Sequence, residues 1–196
     1  MGEWAGSTAL LVVDMQQGYN DESTWGQRNN PECEANVAKL IAEWRSHGWP
    51  VVFVRHDSQD PQSPLRAGQE GNEFKPILTG EPDLVVRKQV YSPFIGDPNL
   101  HAWLHQHGVT GVAICGIQTN LACETAARTA SDLGYEVLFV LDATHTFDVV
   151  APNHQVYRAR EIARFTALNL SDRFAKLVWT GELIDETRTE RVASVV

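Results

Sequence analysis

Three stretches of this sequence carry side chains that could act together on a substrate. Asp14 follows the apolar run at 8–13, Lys88 follows the short apolar run at 84–86, and residues 119–123 open a helical pattern. A carboxylate and an ammonium in one crevice hold each other ionised, and together they can lower the pKa of a thiol at a helix N-terminus. That combination would support nucleophilic attack by a thiolate. The alternative is that the two residues do not meet in the fold. Asp14 would then cap a turn, and Lys88 would be a solvated surface lysine.

The alternation of apolar runs with amphipathic stretches predicts the elements that position these residues. Strands are predicted at 8–13, 51–54, 84–86, 112–115, 136–141 and 175–179, and helices at about 30–48, 97–108, 119–133, 152–168 and 182–187. The alternation predicts a three-layer α/β/α domain with a doubly wound, mostly parallel six-stranded sheet and right-handed crossovers. Because ligands bind at the carboxyl ends of such strands, Asp14 and Lys88 are expected to converge.

The corner at residues 116–135 is the centre of this prediction. The apolar run at 112–115 stops at Gly116 and passes at once into an Ala-rich amphipathic stretch. Such a strand-to-helix corner faces the ligand crevice, so chemistry is expected between residues 117 and 124. The long loop at 58–82 is rich in Pro, Gly, Gln and Asp and is predicted to wall the pocket.

Composition limits the classes of function. The length of 196 residues predicts a single domain, residues 1–196. A net charge of −9, with scattered basic residues, argues against a nucleic-acid partner. The apolar run at 9–13 ends at Asp14 and lacks a preceding basic segment, so neither a signal peptide nor a membrane span is expected and the protein is predicted to be cytoplasmic. Three cysteines without C-x-x-C spacing argue against a disulfide framework or a zinc knuckle.

Over nearly its whole length the chain resembles the isochorismatase-like cysteine hydrolases, which include nicotinamidases, carbamoyl-amidases and ureide and maleamate amidohydrolases. The resemblance rests on LLVVDMQQGY around Asp14, VVRKQVYSPFIGDPNL around Lys88, AICGIQTNLACETAARTASDLGYEV, and VLDATHTFD followed by His154. In that family the aspartate is the general base, the lysine supports charge at the nucleophile and substrate, and a cysteine at the helix N-terminus attacks an amide carbonyl. The resemblance assigns the first two roles to Asp14 and Lys88.

The resemblance places the nucleophile at Ala122. The family pattern G-[VI]-x-T-[ND]-x-C puts the cysteine three residues after the threonine, which here is Thr119. Cys123 is one residue further on, and neighbours along a helix do not share a face, so it is predicted to be a small buried thiol. Either the nucleophile was replaced in an inactivated variant, or this member naturally lacks it. The first explanation is favoured.

Three functions follow from the resemblance. The favoured one is a cysteine-dependent amidohydrolase acting on a C–N bond, here inactivated at Ala122, because Thr119 and Asn120 are typical of the amide-cleaving branch. The second is a vinyl-ether hydrolase of the isochorismatase type, in which a small residue followed by cysteine occurs at the positions of Ala122 and Cys123. The third is a non-catalytic binding protein, although retention of both Asp14 and Lys88 argues against it.

For the cysteine-bearing form, the resemblance implies a mechanism. Asp14 would take the thiol proton and later pass it to the leaving amine. The backbone N–H groups of Gln118 and Ala122 would form the oxyanion hole, with a cis peptide between Ile117 and Gln118. With Ala122 the pocket survives, but no covalent acyl-enzyme can form.

The pocket walls are predicted from residue type. The aromatic side chains expected to form apolar walls are Trp25, Phe74, Tyr91 and Phe94. The amide side chains expected to form hydrogen bonds to the substrate are Gln118 and Asn120. They suit a small amide, carbamoyl compound or lactam. His56 is predicted to be a pocket or loop histidine, since no second histidine follows until His101. Neither a metal nor a cofactor is expected.

Further expectations concern assembly. His145 and Phe147 are weaker candidates for lining the site or for a subunit contact. By analogy with the family a homodimer or homotetramer is expected, with Trp103 as a candidate interface residue.

Overall fold

The fold is built on a central sheet of six parallel strands. The computed structural model describes residues 7–193, with the side chains of 7–187. Six strands lie in the order β3-β2-β1-β4-β5-β8, all paired in parallel, and a separate antiparallel hairpin contains β6 and β7. The strands are β1 (Thr8–Val13), β2 (Val51–His56), β3 (Leu84–Lys88), β4 (Gly111–Ile117), β5 (Glu136–His145), β6 (Val149–Val150), β7 (Val156–Tyr157) and β8 (Lys176–Val178). The predicted six-stranded, mostly parallel sheet is confirmed.

Helices cover both faces of the sheet, which explains the absence of alternation in its strands. The helices are α1 (Glu22–Trp25), α2 (Cys33–Ser46), α3 (Leu100–Gln106), α4 (Glu124–Asp132), α5 (Ala159–Leu170) and α6 (Thr180–Ala193). One apolar layer contains Leu40 and Trp44 of α2 with Leu183 of α6, and the other contains side chains of α3, α4 and α5. Every residue of β1 and β4 is buried as a result. Within the described residues, no helix is long and apolar enough to cross a membrane.

The strand order places a crevice between β1 and β4. From β1 the chain adds β2 and then β3 on one side, and it then crosses to place β4 on the other side of β1. The carboxyl ends of these two central strands are level, because Val13 of β1 is the register partner of Gly116 of β4. A reversal of strand order at this point opens the position where ligands bind in doubly wound sheets.

Several predicted elements differ in their bounds, two of them near the site. The helix predicted at 152–168 begins only at Ala159, because 149–157 form the β6-β7 hairpin, whose turn is closed by a hydrogen bond from Ala151 N to Gln155 O. Strand β5 continues past Leu141 to His145, and its pairing with β4 shifts register after Ile114. The extra residues of β5 bulge at the edge of the sheet where the site lies.

Helix starts differ by smaller amounts. Helix α3 begins at Leu100 rather than at Pro98, because the Asn99 side chain accepts a hydrogen bond from Ala102 N and caps the first turn. The last helix extends beyond the predicted 182–187 on both sides.

Candidate active site

A buried ion pair joins the ends of two strands. Lys88, the last residue of β3, donates from Nζ to Asp14 Oδ2 at 2.7 Å, and both side chains are almost fully buried. Asp14 follows β1, and its backbone N–H donates to Val54 O of β2 at 2.9 Å, so the pair lies over the end of the intervening strand. The φ of Asp14 is 51°, in the left-handed region that Asp and Asn tolerate better than most residues. The predicted convergence of Asp14 and Lys88 is therefore present.

The surroundings of Asp14 favour its protonated form more than water does. Burial raises the pKa of Asp14 from 3.8 to about 6, against the opposing charge and hydrogen bond of Lys88, and nearby Asp57 raises it slightly further. Asp14 Oδ1 is buried and has no hydrogen-bond partner among the described residues. One oxygen of the carboxylate is thus held by Lys88, while the other is available to accept or donate a proton.

Close contact between β1 and β4 fixes the backbone beneath the site. Gly116 has φ 122°, and a Cβ at this position would lie 2.0 Å from Val13 O, so only glycine fits. One residue further along, the peptide bond between Ile117 and Gln118 is cis, as the resemblance implied.

A turn of π-helix presents the position expected for the nucleophile. Residues 119–123 form this turn, in which Cys123 N donates to Gln118 O at 3.2 Å, five residues back. Single π-helical turns are rare, and those found within α-helices are frequently at functional sites. Ala122 is only 3% exposed and lines the same cavity as Asp14 and Lys88.

Cys123 points into the protein interior rather than to the cavity. Its side chain is fully buried in the apolar layer beneath α3, α4 and α5, and burial raises the pKa of its thiol well above the ordinary value. A thiol in that setting is neither ionised nor accessible. The prediction of a small buried thiol is confirmed, although the turn is π-helical rather than α-helical.

A cavity of about 300 Å³ opens above the ion pair. Trp25, Tyr91 and Gln118 line it, as predicted from the sequence. The loop predicted to wall the pocket supplies several lining residues from its first part: Ser58, Gln59, Asp60, Ser63 and Leu65. The remaining lining residues are Tyr19, His56, Gln89, Val90 and Leu121, together with Asp14, Lys88 and Ala122.

Three predicted wall residues lie elsewhere. Phe74 is partly buried and packs against the core, with its ring centroid 5.4 Å from that of Phe53. Phe94 packs against the apolar layer on the opposite face of the sheet. Asn120 is turned toward β5, where its Oδ1 accepts a hydrogen bond from Thr146 Oγ1 at 2.5 Å. None of the three is among the residues that line the cavity, so the structure does not place them in its wall.

An aromatic cluster forms one wall and was missed in part. Tyr19 and Trp25 have ring centroids 4.9 Å apart, and Phe147 stacks behind them at 6.1 and 5.8 Å. Tyr19 lies five residues after Asp14, and this proximity in sequence could have indicated it. His145 packs edge-on against Phe147. His145 and Phe147 are both buried, so they support the wall from behind and offer no surface for a subunit contact.

His56 lines the cavity as a neutral imidazole. Burial and, second, the nearby charge of Lys88 lower the pKa of His56 to about 4. Its backbone is held by Gln16, whose side-chain oxygen accepts from His56 N at 2.8 Å and whose amide nitrogen donates to His56 O at 3.0 Å. Within residues 7–187, whose side chains the structure describes, no three His, Cys, Asp or Glu side chains are grouped so that they could hold a metal ion.

Comparison with known proteins identifies the family. The isochorismatase domain matches residues 8–171. The chain belongs to the isochorismatase family. It is 34% identical to the isochorismatase family protein YrdC of Bacillus subtilis (strain 168), over 91% of this chain and 95% of that protein. It is also 34% identical to nicotinamidase 3 of Arabidopsis thaliana, over 87% of this chain and 83% of that protein.

The fold of this isochorismatase-family hydrolase has a close counterpart among solved structures. A protein assigned to the isochorismatase family of hydrolases from Chromobacterium violaceum ATCC 12472 superposes with a TM-score of 0.87. The two are 33% identical, and the match covers 93% of this chain and 94% of that one. The doubly wound sheet and its flanking helices are thus the fold of the family.

Proposed function

We propose that this protein has the site of an amidohydrolase for a small amide, carbamoyl compound or lactam, with alanine in place of the cysteine nucleophile. The observation that carries the proposal is the state of Asp14. One carboxylate oxygen is fixed by Lys88, and the other is buried, without a hydrogen-bond partner in the described part of the chain, at the cavity that Ala122 also lines. A thiol at residue 122 would supply the missing proton donor. The similarity to a protein named as a nicotinamidase, a name that denotes cleavage of an amide, supports the same reaction class.

With a cysteine at residue 122, the arrangement supports a two-step hydrolysis. Asp14 Oδ1 would take the thiol proton, the sulfur would bond to the carbonyl carbon, and the C–N bond would break as Asp14 returns the proton to the departing nitrogen. Water would then attack the thioester carbonyl while Asp14 accepts one of its protons. The C–S bond would break, the acid would leave, and Asp14 would return the proton to the sulfur, which restores the thiol. Lys88 would favour the ionised form of Asp14 in each proton-accepting step, because it opposes the effect of burial.

With Ala122 the protein holds its substrate without forming the acyl-enzyme. The methyl group has no lone pair, while the cavity, the ion pair and the turn at 119–123 are all in place. Loss of a nucleophile that acts within a catalytic unit costs on the order of 10⁶ in kcat. Binding with very slow turnover is therefore the expected behaviour.

A second function is favoured by the raised pKa of Asp14. A carboxyl group with a pKa of about 6 is partly protonated near neutral pH and can serve as a general acid. It could protonate the terminal carbon of a vinyl ether, after which water would add to the adjacent carbon and the adduct would separate into an alcohol and a carbonyl compound. This reaction needs no thiol.

Ammonia release from a panel of primary amides and ureides, together with the appearance of a free amino group from lactams, tests the first function. The protein, its Ala122→Cys variant and the Ala122→Cys/Asp14→Asn double variant are assayed together. Of these three proteins, only Ala122→Cys should hydrolyse an amide at an appreciable rate. Its kcat should exceed that of the unmodified protein by a factor that approaches about 10⁶. An Ala122→Cys/Cys123→Ala variant should keep the activity, because Cys123 faces the core.

The same proteins and an Asp14→Asn variant of the unmodified protein, given a vinyl ether, test the second function. If no amide is cleaved by Ala122→Cys and the unmodified protein cleaves the vinyl ether in an Asp14-dependent manner, the amidohydrolase proposal is wrong.

A further inference from the structure

We propose that the cavity selects small planar amides that carry no negative charge. This inference rests on the proposed amidohydrolase function and narrows its substrate. It follows from the charges and the rings that line the cavity.

In the part of the chain whose side chains are described, the cavity offers an anion no unpaired cationic side chain. Lys88 is the only permanent cation among the described residues that line it, and its ammonium is bound to Asp14 at 2.7 Å. Just outside the lining, Arg55 is paired with Asp57, with Nε 2.9 Å from Oδ1. Proteins recognise carboxylates chiefly through arginine or lysine, and a buried carboxylate without such a partner is costly. A substrate carboxylate would therefore lose its hydration without a matching gain.

The remaining charges favour neutral or positive ligands. Asp60 lies on the cavity wall and is exposed, and the low pKa of His56 leaves its imidazole neutral at pH 7. The charges of Asp14 and Lys88 cancel, so the lining carries a net charge of about −1 near neutral pH, and this charge comes from Asp60. The whole chain, at −9, adds to the same negative field.

The shape of the ligand follows from a rigid aromatic wall. Trp25 is fixed by a hydrogen bond from Nε1 to Gly18 O at 2.9 Å, and it packs against Tyr19, with Phe147 behind both rings. The rings of Tyr19 and Trp25 are tilted by 41° to each other, so each offers its own flat face. Rings held in this way have little conformational freedom to lose, which favours stacking of a planar ligand on one of them. Gln118, which also lines the cavity, can hydrogen-bond an amide group.

Calorimetric titration of the unmodified protein with matched probes tests the inference, because Ala122 allows binding without turnover. The probes are benzamide, the anionic 4-carbamoylbenzoate, the cationic 4-(aminomethyl)benzamide and the non-planar cyclohexanecarboxamide. Benzamide should bind at least about fivefold more tightly than 4-carbamoylbenzoate at low salt, and the cationic probe should bind no more weakly than benzamide. Cyclohexanecarboxamide should bind several-fold more weakly than benzamide.

An Asp60→Asn variant tests the source of the charge preference. Asp60 Oδ1 accepts a hydrogen bond from Gln62 N, and an asparagine keeps that acceptor while it removes the charge. The preference for benzamide over 4-carbamoylbenzoate should shrink by up to about fivefold, the effect of one exposed charge. The control is Asp132→Asn at the far end of α4, an exposed aspartate whose loss changes the net charge equally and should leave the preference unaltered.

The outcomes separate this inference from the proposed function. Equal or tighter binding of 4-carbamoylbenzoate, or its faster cleavage by Ala122→Cys, would overturn the charge selection and leave the amidohydrolase function standing. Equal binding of benzamide and cyclohexanecarboxamide would overturn the planar selection. If no probe binds and Ala122→Cys cleaves no amide, the proposed function fails and the inference fails with it.

Discussion

Deprotonation of Asp14 should lower the stability of the folded protein. The folded state raises the pKa of this carboxyl from 3.8 to about 6, chiefly because burial removes water from its charged form. The folded state therefore binds the proton more tightly than the unfolded state does. The resulting stabilisation is complete below pH 3.8 and is lost as the pH rises to about 6. A shift of about two pH units at about 1.4 kcal/mol each corresponds to about 3 kcal/mol of unfolding free energy.

The Asp14→Asn variant isolates this effect. Asparagine has nearly the same shape, tolerates the φ of 51° and does not titrate. The free energy of unfolding of the unmodified protein, minus that of Asp14→Asn, should fall by about 3 kcal/mol as the pH rises, mostly between pH 4 and 7. Urea denaturation followed by tryptophan fluorescence at several pH values measures this difference, and other titrating groups cancel in it.

Removal of the carboxylate leaves the buried ammonium of Lys88 without its partner, so a second pair of proteins is needed. Lys88→Met and Asp14→Asn/Lys88→Met differ only at residue 14. Lys88 lowers the pKa of Asp14 in the unmodified protein, so the loss between low and high pH should be larger in this pair. In each pair, the quantity compared is the unfolding free energy of the protein that retains Asp14 minus that of its Asp14→Asn counterpart. If this quantity stays constant or increases as the pH rises, in either pair, the assignment of the raised pKa to burial is refuted.

Three further predictions concern the scaffold. Trp44→Ala should cost about 3–5 kcal/mol of unfolding free energy in urea denaturation, because this fully buried indole fills the core and donates to Thr8 O; a cost below 1 kcal/mol would contradict it. Gly116→Ala should prevent folding, as seen by circular dichroism, since its Cβ would collide with Val13 O; native-like folding would count against this. Burial lowers the pKa of His145 to about 3, so its contribution to stability is present above pH 6.5 and is lost as the pH falls toward 3. The stability advantage of the unmodified protein over His145→Phe should shrink in that direction in urea denaturation, and constancy would disprove it.

The sheet was predictable because continuous apolar runs separated by amphipathic stretches suit few architectures other than a covered parallel sheet. The ends of its strands were less predictable. Strand β5 continues through Asp142 and Thr144 because Asn30, more than 100 residues earlier in the chain, donates from Nδ2 to both of their carbonyl oxygens, at 2.8 and 2.9 Å. No local pattern in the sequence contains that contact.

The reactive centre was predictable from position, whereas most of the cavity wall was not. Asp14 and Lys88 follow predicted strands, and the topology alone brings such residues to one edge. Residue type does not reveal direction, so Phe74 and Phe94 were assigned to the cavity although both face the core. For the same reason, residue type alone does not predict that Tyr19 lines the cavity. The homodimer or homotetramer and the cytoplasmic location stay predictions.

The geometry of the reactive centre does not depend on the side chain at residue 122. Asp14 is positioned by the end of β1 and by its ion pair with Lys88, and the turn at 119–123 is closed through backbone groups. Gly116 fixes the approach of β4 to β1 whichever residue follows in the turn. Because these supports lie outside residue 122, an alanine there should remove the chemistry of a thiol while it leaves ligand recognition intact. The identity of the substrate can therefore be read from the binding preferences of the alanine-bearing protein, without turnover.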